Sequence, residues 1–305
     1  MEKVNPLEKS VDKPAEEDRR LQRNNKKVKI VTDSTCYLPQ DVIEKYGIMV
    51  APLTVRFGET TFKEHVDIDD EELYKRLRKG ELPDTTQPSP EDFSSIYKPL
   101  IDKGYSIISI HISSGISGTV NSANAAKEML GSNDIYIFDS KFTSMGLGYQ
   151  IMEIARMLYD EKKNLKEVID EVPNLKNHMN IFFLVGDLFY LARLGRIGKA
   201  RAVVGSIIKV KPILYFDDGF VNALEQPRTM KKGKERMIEL VKEIINKKGL
   251  KYMTITWGDN KEEAEEYKEQ CEKEFGIKIP LTRLGPIIGT HVGPDVLSIH
   301  FYTEK

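Results

Sequence analysis

The stretch from Tyr105 to Leu130 constrains this chain most. An apolar run, Tyr-Ser-Ile-Ile-Ser-Ile-His-Ile, passes into Ser-Ser-Gly-Ile-Ser-Gly-Thr, and Val120–Leu130 follows with helical character. A short apolar run bounded by turn residues reads as a buried strand. A small-residue loop from such a strand into a helix belongs at the carboxyl edge of a parallel sheet, where ligands of open α/β folds collect. The surroundings fit that reading. VKIVTDST from Val28 is a strand entering a polar turn, with a helical stretch from about Pro39 to Tyr46. Met49–Phe57 and Thr60–His65 are extended, and Phe57-Gly58-Glu59 between them predicts a hairpin. A short charged helix begins near Asp69, Glu91–Asp102 is helical after the break PDTTQPSP, and Ile135–Phe138 is a strand. Leu147, Ile151, Ile154 and Leu158 recur at spacings of four, three and four, one face of an amphipathic helix. Alternating strands and helices predict a parallel α/β sheet.

The second half changes character. Ile181–Val185, Pro212–Phe216, Phe220–Ala223 and Tyr252–Thr256 read as strands, and Asp217-Asp218-Gly219 is a tight turn. Helices are expected over Gly198–Ile208, Thr229–Lys247 and Lys261–Phe275. The expectation is an α/β protein of two domains: an N-terminal parallel-sheet domain, residues 28–165, and a C-terminal α+β domain of largely antiparallel strands, residues 166–305. Residues 1–27 form a charged tail with too few large apolar groups to offset the entropy of ordering.

Charge and composition exclude more than they assign. In 305 residues, 46 Lys and Arg face 47 Asp and Glu, a net charge of −1, which argues against the basic field that nucleic acid requires. No run of about 18 apolar residues occurs and the N-terminus lacks an apolar signal core, so a cytoplasmic protein is expected. Cys36 and Cys271 have no CxxC context, and neither a disulfide framework nor a zinc site is expected.

Three segments carry candidate chemistry. In Ser113–Thr119 the loop glycines and the free amides of the next helix suit an anion, and the same residues could equally cap the helix. The spacing is neither GxSxG nor a nucleotide-binding GK[ST] loop. In Thr85-Thr86-Gln87-Pro88-Ser89-Pro90, Ser89 reads as an N-cap with Pro90 in the first helical position, which leaves Thr85 and Thr86 unexplained. The third is Gly289-Thr290-His291-Val292-Gly293-Pro294, a glycine-flanked histidine.

These segments fall in order with VTDST near the start, Asn121-Ser122-Ala123 after the glycine loop, LARLGRI at 191–197 and Pro-Arg-Thr at 227–229. Together they make the chain resemble the DegV family of bacterial fatty-acid-binding proteins, which includes the fatty-acid-binding subunit of bacterial fatty acid kinase. The resemblance runs from about Val28 to Tyr302. It implies one long-chain fatty acid buried between two domains, no further cofactor, and no catalysis by this chain. Its carboxylate would be held by Thr85 or Thr86, by Ser117 with the Gly118 backbone, and by His291. Arg228 would serve the head group or kinase docking. The partners implied are the kinase catalytic subunit, which would form an acyl phosphate for phospholipid synthesis, and transient contact with a membrane. Asp295, where the family often has a small residue, departs from the pattern.

The physics of such a ligand is simple. About 15 methylenes at ~0.8 kcal/mol each gain roughly 12 kcal/mol on leaving water, before ordering costs. A desolvated carboxylate needs donors in place of its water, and hydroxyls, amides and an imidazole are expected to supply them without a permanent cation. Apolar tunnel candidates are Ile181–Val185, Ile207–Ile208, Ile213 and Ile287–Ile288. Two other readings stay open: a hydrolase or acyltransferase using Ser117 with His291, and a phosphate-binding module using the glycine loop.

Overall fold

Apolar residues that alternate between two faces dictate a layered arrangement. In the computed structural model, which describes residues 27–201 and 211–305, strands β1 (Val28–Asp33), β2 (Met49–Ala51), β3 (Thr54–Phe57), β4 (Thr60–Lys63), β5 (Asp84–Thr86), β6 (Ser106–His111) and β7 (Ile135–Asp139) build the N-terminal half. Four of them form an all-parallel sheet in the order β2-β1-β6-β7. The order reverses between β1 and β6, so their carboxyl ends flank a crevice. On one face, Val31 and Ile107 pack with Phe93 and Tyr97 of the helix Pro90–Asp102 and with Ala123 and Ala126 of the helix Thr119–Leu130. On the other, Ile30, Ile108 and Ile110 join a larger core with Leu147, Ile151 and Ile154 of the helix Met145–Ala155.

The expected extended segment Met49–Phe57 is two strands. Pro52 follows β2, which pairs in parallel with β1, while β3 turns into a separate antiparallel sheet, β4-β3-β5. Proline lacks the amide a central ladder needs, which accounts for the break. The predicted hairpin at Phe57-Gly58-Glu59 joins β3 to β4, and the predicted cap is a full capping box of Ser89 with Asp92. The third strand, β5, comes from residues read as a loop.

The C-terminal half is a six-stranded sheet, β10-β9-β8-β13-β11-β12, made of β8 (Met179–Val185), β9 (Ile213–Asp217), β10 (Phe220–Glu225), β11 (Tyr252–Trp257), β12 (Leu281–Arg283) and β13 (Val296–Tyr302). Only β11 with β12 is parallel. The sequence reading omitted β12 and β13. Strand β13 sits at the centre, buried on both faces, and its stretch Leu-Ser-Ile-His-Phe alternates apolar and polar residues. One face of the sheet packs on the helices Met230–Lys248 and Lys261–Phe275 through Phe182, Leu184, Leu297, Ile299 and Phe301. The opposite face, with Ile181, Phe183, Val185 and Val296, shares the core of the N-terminal half. Two sheets thus enclose a common middle layer. Of the helix expected over Gly198–Ile208, the described residues show a short 3₁₀ turn, Gly198–Ala200, and a helical Arg201; residues 202–208 lie outside the described residues, as do residues 1–26 of the tail.

Candidate functional site

The middle layer is not filled. A cavity of about 290 Å³ opens there, close to the lower bound of about 300 Å³ for small-molecule sites. Much of its wall is apolar: Leu53, Ile112, Ile116, Leu284, Ile287 and Ile288 on one side, with Ile181, Phe183, Phe216, Val221 and Val296 from the six-stranded sheet. Of the expected tunnel residues, Phe182, Leu184 and Ile213 belong instead to the outer core, because neighbours along a strand face opposite ways. Ile207 and Ile208 lie outside the described residues.

At one side of the cavity His291 and Thr85 meet. Their Nε2 and Oγ1 are 2.7 Å apart, and His291 Nδ1 has no partner among the described residues. Each comes from a different half: Thr85 from β5, whose neighbour across the ladder is the buried Val55, and His291 from the helix Pro286–Val292. That helix is pinned to the N-terminal half at its start. Glu64 accepts from the Ile287 amide at 2.7 Å and from Tyr37 Oη at 2.9 Å, Tyr37 Oη accepts from the Ile288 amide, and Tyr74 Oη donates to Leu284 O. Burial, then the nearby guanidinium groups of Arg196 and Arg193, push the His291 imidazole down to about 3. It is therefore uncharged at neutral pH.

The other expected residues divide. Thr86 and Ser117 line the cavity, Ser117 exchanging a hydrogen bond with Thr119 Oγ1 at 2.8 Å and accepting from the Thr119 amide. Gly118 does not line it. It faces Gln87, whose side chain a Cβ at that position would meet at 2.3 Å. Arg228 is exposed, between β10 and the helix Met230–Lys248, and is not part of the wall. Arg196 is part of it, with Nε bound to Ile116 O at 3.1 Å. A permanent cation thus lies on the cavity wall, where only hydroxyls, amides and an imidazole were expected as donors. Arg196 lies in the LARLGRI run, but no spacing argument says which arginine folds inward.

The glycine loop does two jobs. Ser113 Oγ donates to Gly219 O, Ser114 Oγ donates to Asp139, and only Ile116 and Ser117 reach the cavity. Five further polar residues line it without having been named as site candidates: Gln87 after β5, Thr143 and Ser144 after β7, and Ser298 and His300 on β13. The carboxyl-edge rule that singled out the loop after β6 applies equally to the one after β7. Asp295 takes no part in the wall. Its carboxylate meets Arg78 of the helix Asp70–Arg78 at 2.9 Å and ties the two halves together, alongside Arg78 with Asp259.

A second set of residues has a hydrolase-like order. Asp33 Oδ2 meets His111 Nδ1 at 3.1 Å, His111 Nε2 meets Ser109 Oγ at 2.7 Å, and Ser109 Oγ meets Tyr97 Oη. All four are fully buried beneath the helix Pro90–Asp102, on the face of the parallel sheet away from the cavity. Ser117 and His291, the pair considered for nucleophilic chemistry, bond to Thr119 and Thr85 and not to each other. No group of three or more metal-ligating side chains occurs among the described residues.

The sequence model described as "Uncharacterised protein, DegV family" matches residues 27–304. Protein DegV of Bacillus subtilis strain 168 is 35% identical over 274 residues, 89% of this chain and 98% of that protein. The chain belongs to the DegV family. Among solved DegV-family structures, a fatty-acid-binding protein from Thermus thermophilus superposes with a TM-score of 0.84 at 28% identity, covering 91% of this chain and 99% of that one. A stearic-acid-binding protein from Eubacterium ventriosum gives 0.84 at 28% identity, covering 91% and 98%. The DegV-family fold is therefore the α/β arrangement expected from the sequence, with its ligand-sized space between the two sheets.

Proposed function

We propose that this protein binds one long-chain fatty acid in the cavity, carboxylate toward Thr85, Thr86, Ser117 and His291, without itself catalysing a reaction. The observation that carries the reading is an uncharged imidazole paired with a threonine hydroxyl beside Arg196, on the wall of an otherwise largely apolar chamber. Neutral donors replace the water of a buried carboxylate, and Arg196 adds a charge-assisted partner. The halves that hold this site are the two domains, 28–165 and 166–305, with the divide read near the helix Leu165–Leu175, which packs on the helix Met145–Ala155. The bound acid would then be presented, in the cytoplasm, to a separate ATP-dependent kinase subunit that forms the acyl phosphate. This step rests on the family resemblance. The exposed Arg228 suits that docking better than the head group.

The test is direct. Mass spectrometry of the purified protein after denaturation should release a long-chain fatty acid, on the order of one per chain. No lipid released, together with no uptake of stearate by the refolded protein, would sink the reading. Turnover of an ester substrate that is lost in Ser117→Ala would favour the hydrolase or acyltransferase.

A further inference from the structure

A plain hydrocarbon chain offers no partner to polar atoms on a chamber wall, and this chamber has several such atoms away from His291 and Thr85. Along β13, Leu297, Ile299 and Phe301 face the outer helices, while Val296, Ser298 and His300 face the cavity. By strand geometry, Ser298 and His300 lie ~7 and ~13 Å along β13 from Val296, the end of the strand that the His291 helix leads into. Ser298 Oγ and His300 Nε2 are 3.0 Å apart, and Thr256 Oγ1, across the ladder, contacts both. The three residues are at most 3% exposed.

This cluster is incomplete. Among the described residues His300 Nδ1 is buried without a partner, and so are Thr143 Oγ1 and Ser144 Oγ on the same cavity's wall. The two parts are close in the fold. Gly146 packs on Ile181, the ladder partner of His300, and Tyr149 Oη bonds to Thr254, its partner on the other side. Buried polar atoms are costly to leave unpaired, and a methylene chain would leave all three so. Whichever nitrogen of neutral His300 carries the proton, Nδ1 needs either an acceptor or a donor, and a hydroxyl is both.

We propose that this inner stretch receives a hydroxyl carried on the acyl chain, so that the preferred ligand class is a hydroxylated long-chain fatty acid. The proposal rests on the fatty-acid reading above and specifies its substrate class. One well-made hydrogen bond to the neutral cluster corresponds to roughly tenfold in affinity.

The experiment uses the full-length, delipidated protein and calorimetric competition between stearate and hydroxystearates bearing the hydroxyl beside the carboxylate, in mid-chain or near the methyl end. A mid-chain or distal isomer should bind about tenfold tighter than stearate, and the isomer hydroxylated beside the carboxylate should not. In Ser298→Ala/His300→Phe, and separately in Thr143→Val, the ratio should fall toward one. Stearate binding as tightly as every isomer in the unmodified protein would overturn the proposal while leaving the fatty-acid reading intact, the cluster then being a seat for water. Failure of every chain to bind, stearate included, would sink both. The unmodified protein decides the matter if a variant does not fold.

Discussion

His291 shows what single residues contribute. Its imidazole is held uncharged by burial and by Arg196 and Arg193, so it can donate or accept toward a ligand without bringing its own charge. On the proposed reading, its unpartnered Nδ1 and its bond to Thr85 would make it a bridge between an anionic head group and the β5 strand. His291→Ala should therefore weaken fatty acid binding by about tenfold or more, the worth of one hydrogen bond to a charged group at ~1.5–3 kcal/mol. A fluorescence competition assay measures this, and an unchanged Kd would remove His291 from the site. Thr85 stands out in the sequence as a hydroxyl that helix capping leaves unexplained, and His291 as a glycine-flanked histidine within a motif of the family. Arg196 does not stand out, because Arg193, Arg196 and Arg228 look alike until the chain path selects which one lines the cavity.

At the scale of elements, the glycine loop and the β9–β10 hairpin depend on each other. A Cβ on Gly115 would lie 2.5 Å from Gly219 O, and Ser113 Oγ donates to that same carbonyl at 2.8 Å. Gly219 itself has φ of +87°, which the tight turn requires. The obstacle is backbone and not a flexible side-chain end, so Gly115→Ala should lower stability by about 1–3 kcal/mol through overpacking. Denaturant unfolding checks this, and an unchanged midpoint would show that the two halves are not seated through this loop. The Asp217-Asp218-Gly219 turn was readable from its residues alone. That it docks on the Ser113–Thr119 loop was not, since the two segments are about a hundred residues apart. The helix carrying His291 is similar: the sequence pattern assigns it no element, and Glu64 and Tyr37 from the N-terminal half secure it.

For the whole molecule, the buried imidazoles set a pH dependence. His291 and His300 are both pushed down to about 3, chiefly by burial, and ordinary imidazoles take a proton near 6.5. Unfolding therefore takes up protons once the pH falls below about 6.5, and stability declines from there toward pH 3. Buried Glu64 works oppositely: desolvation raises its pKa, so its contribution favours the fold on the acid side and is lost as pH rises. Melting temperatures of the ligand-free protein should fall as pH drops from 7 to 4. The decline should shrink in His300→Gln, and a flat profile in the unmodified protein would contradict it. The net charge of −1 excluded a basic field over the whole chain, yet Arg196 and Arg193 still place local positive potential at the cavity. By itself the sequence determined the parallel sheet, the two hairpins, the Ser89 helix cap and the family, because periodicity, turn residues and motif order act over short stretches of chain. Only the tertiary structure decided which face each strand residue turns to the cavity, which arginine enters it, and that β13 lays Ser298 and His300 along its inner wall. Those outcomes depend on packing between segments far apart in sequence, where a residue's neighbours set its burial and hence its chemistry.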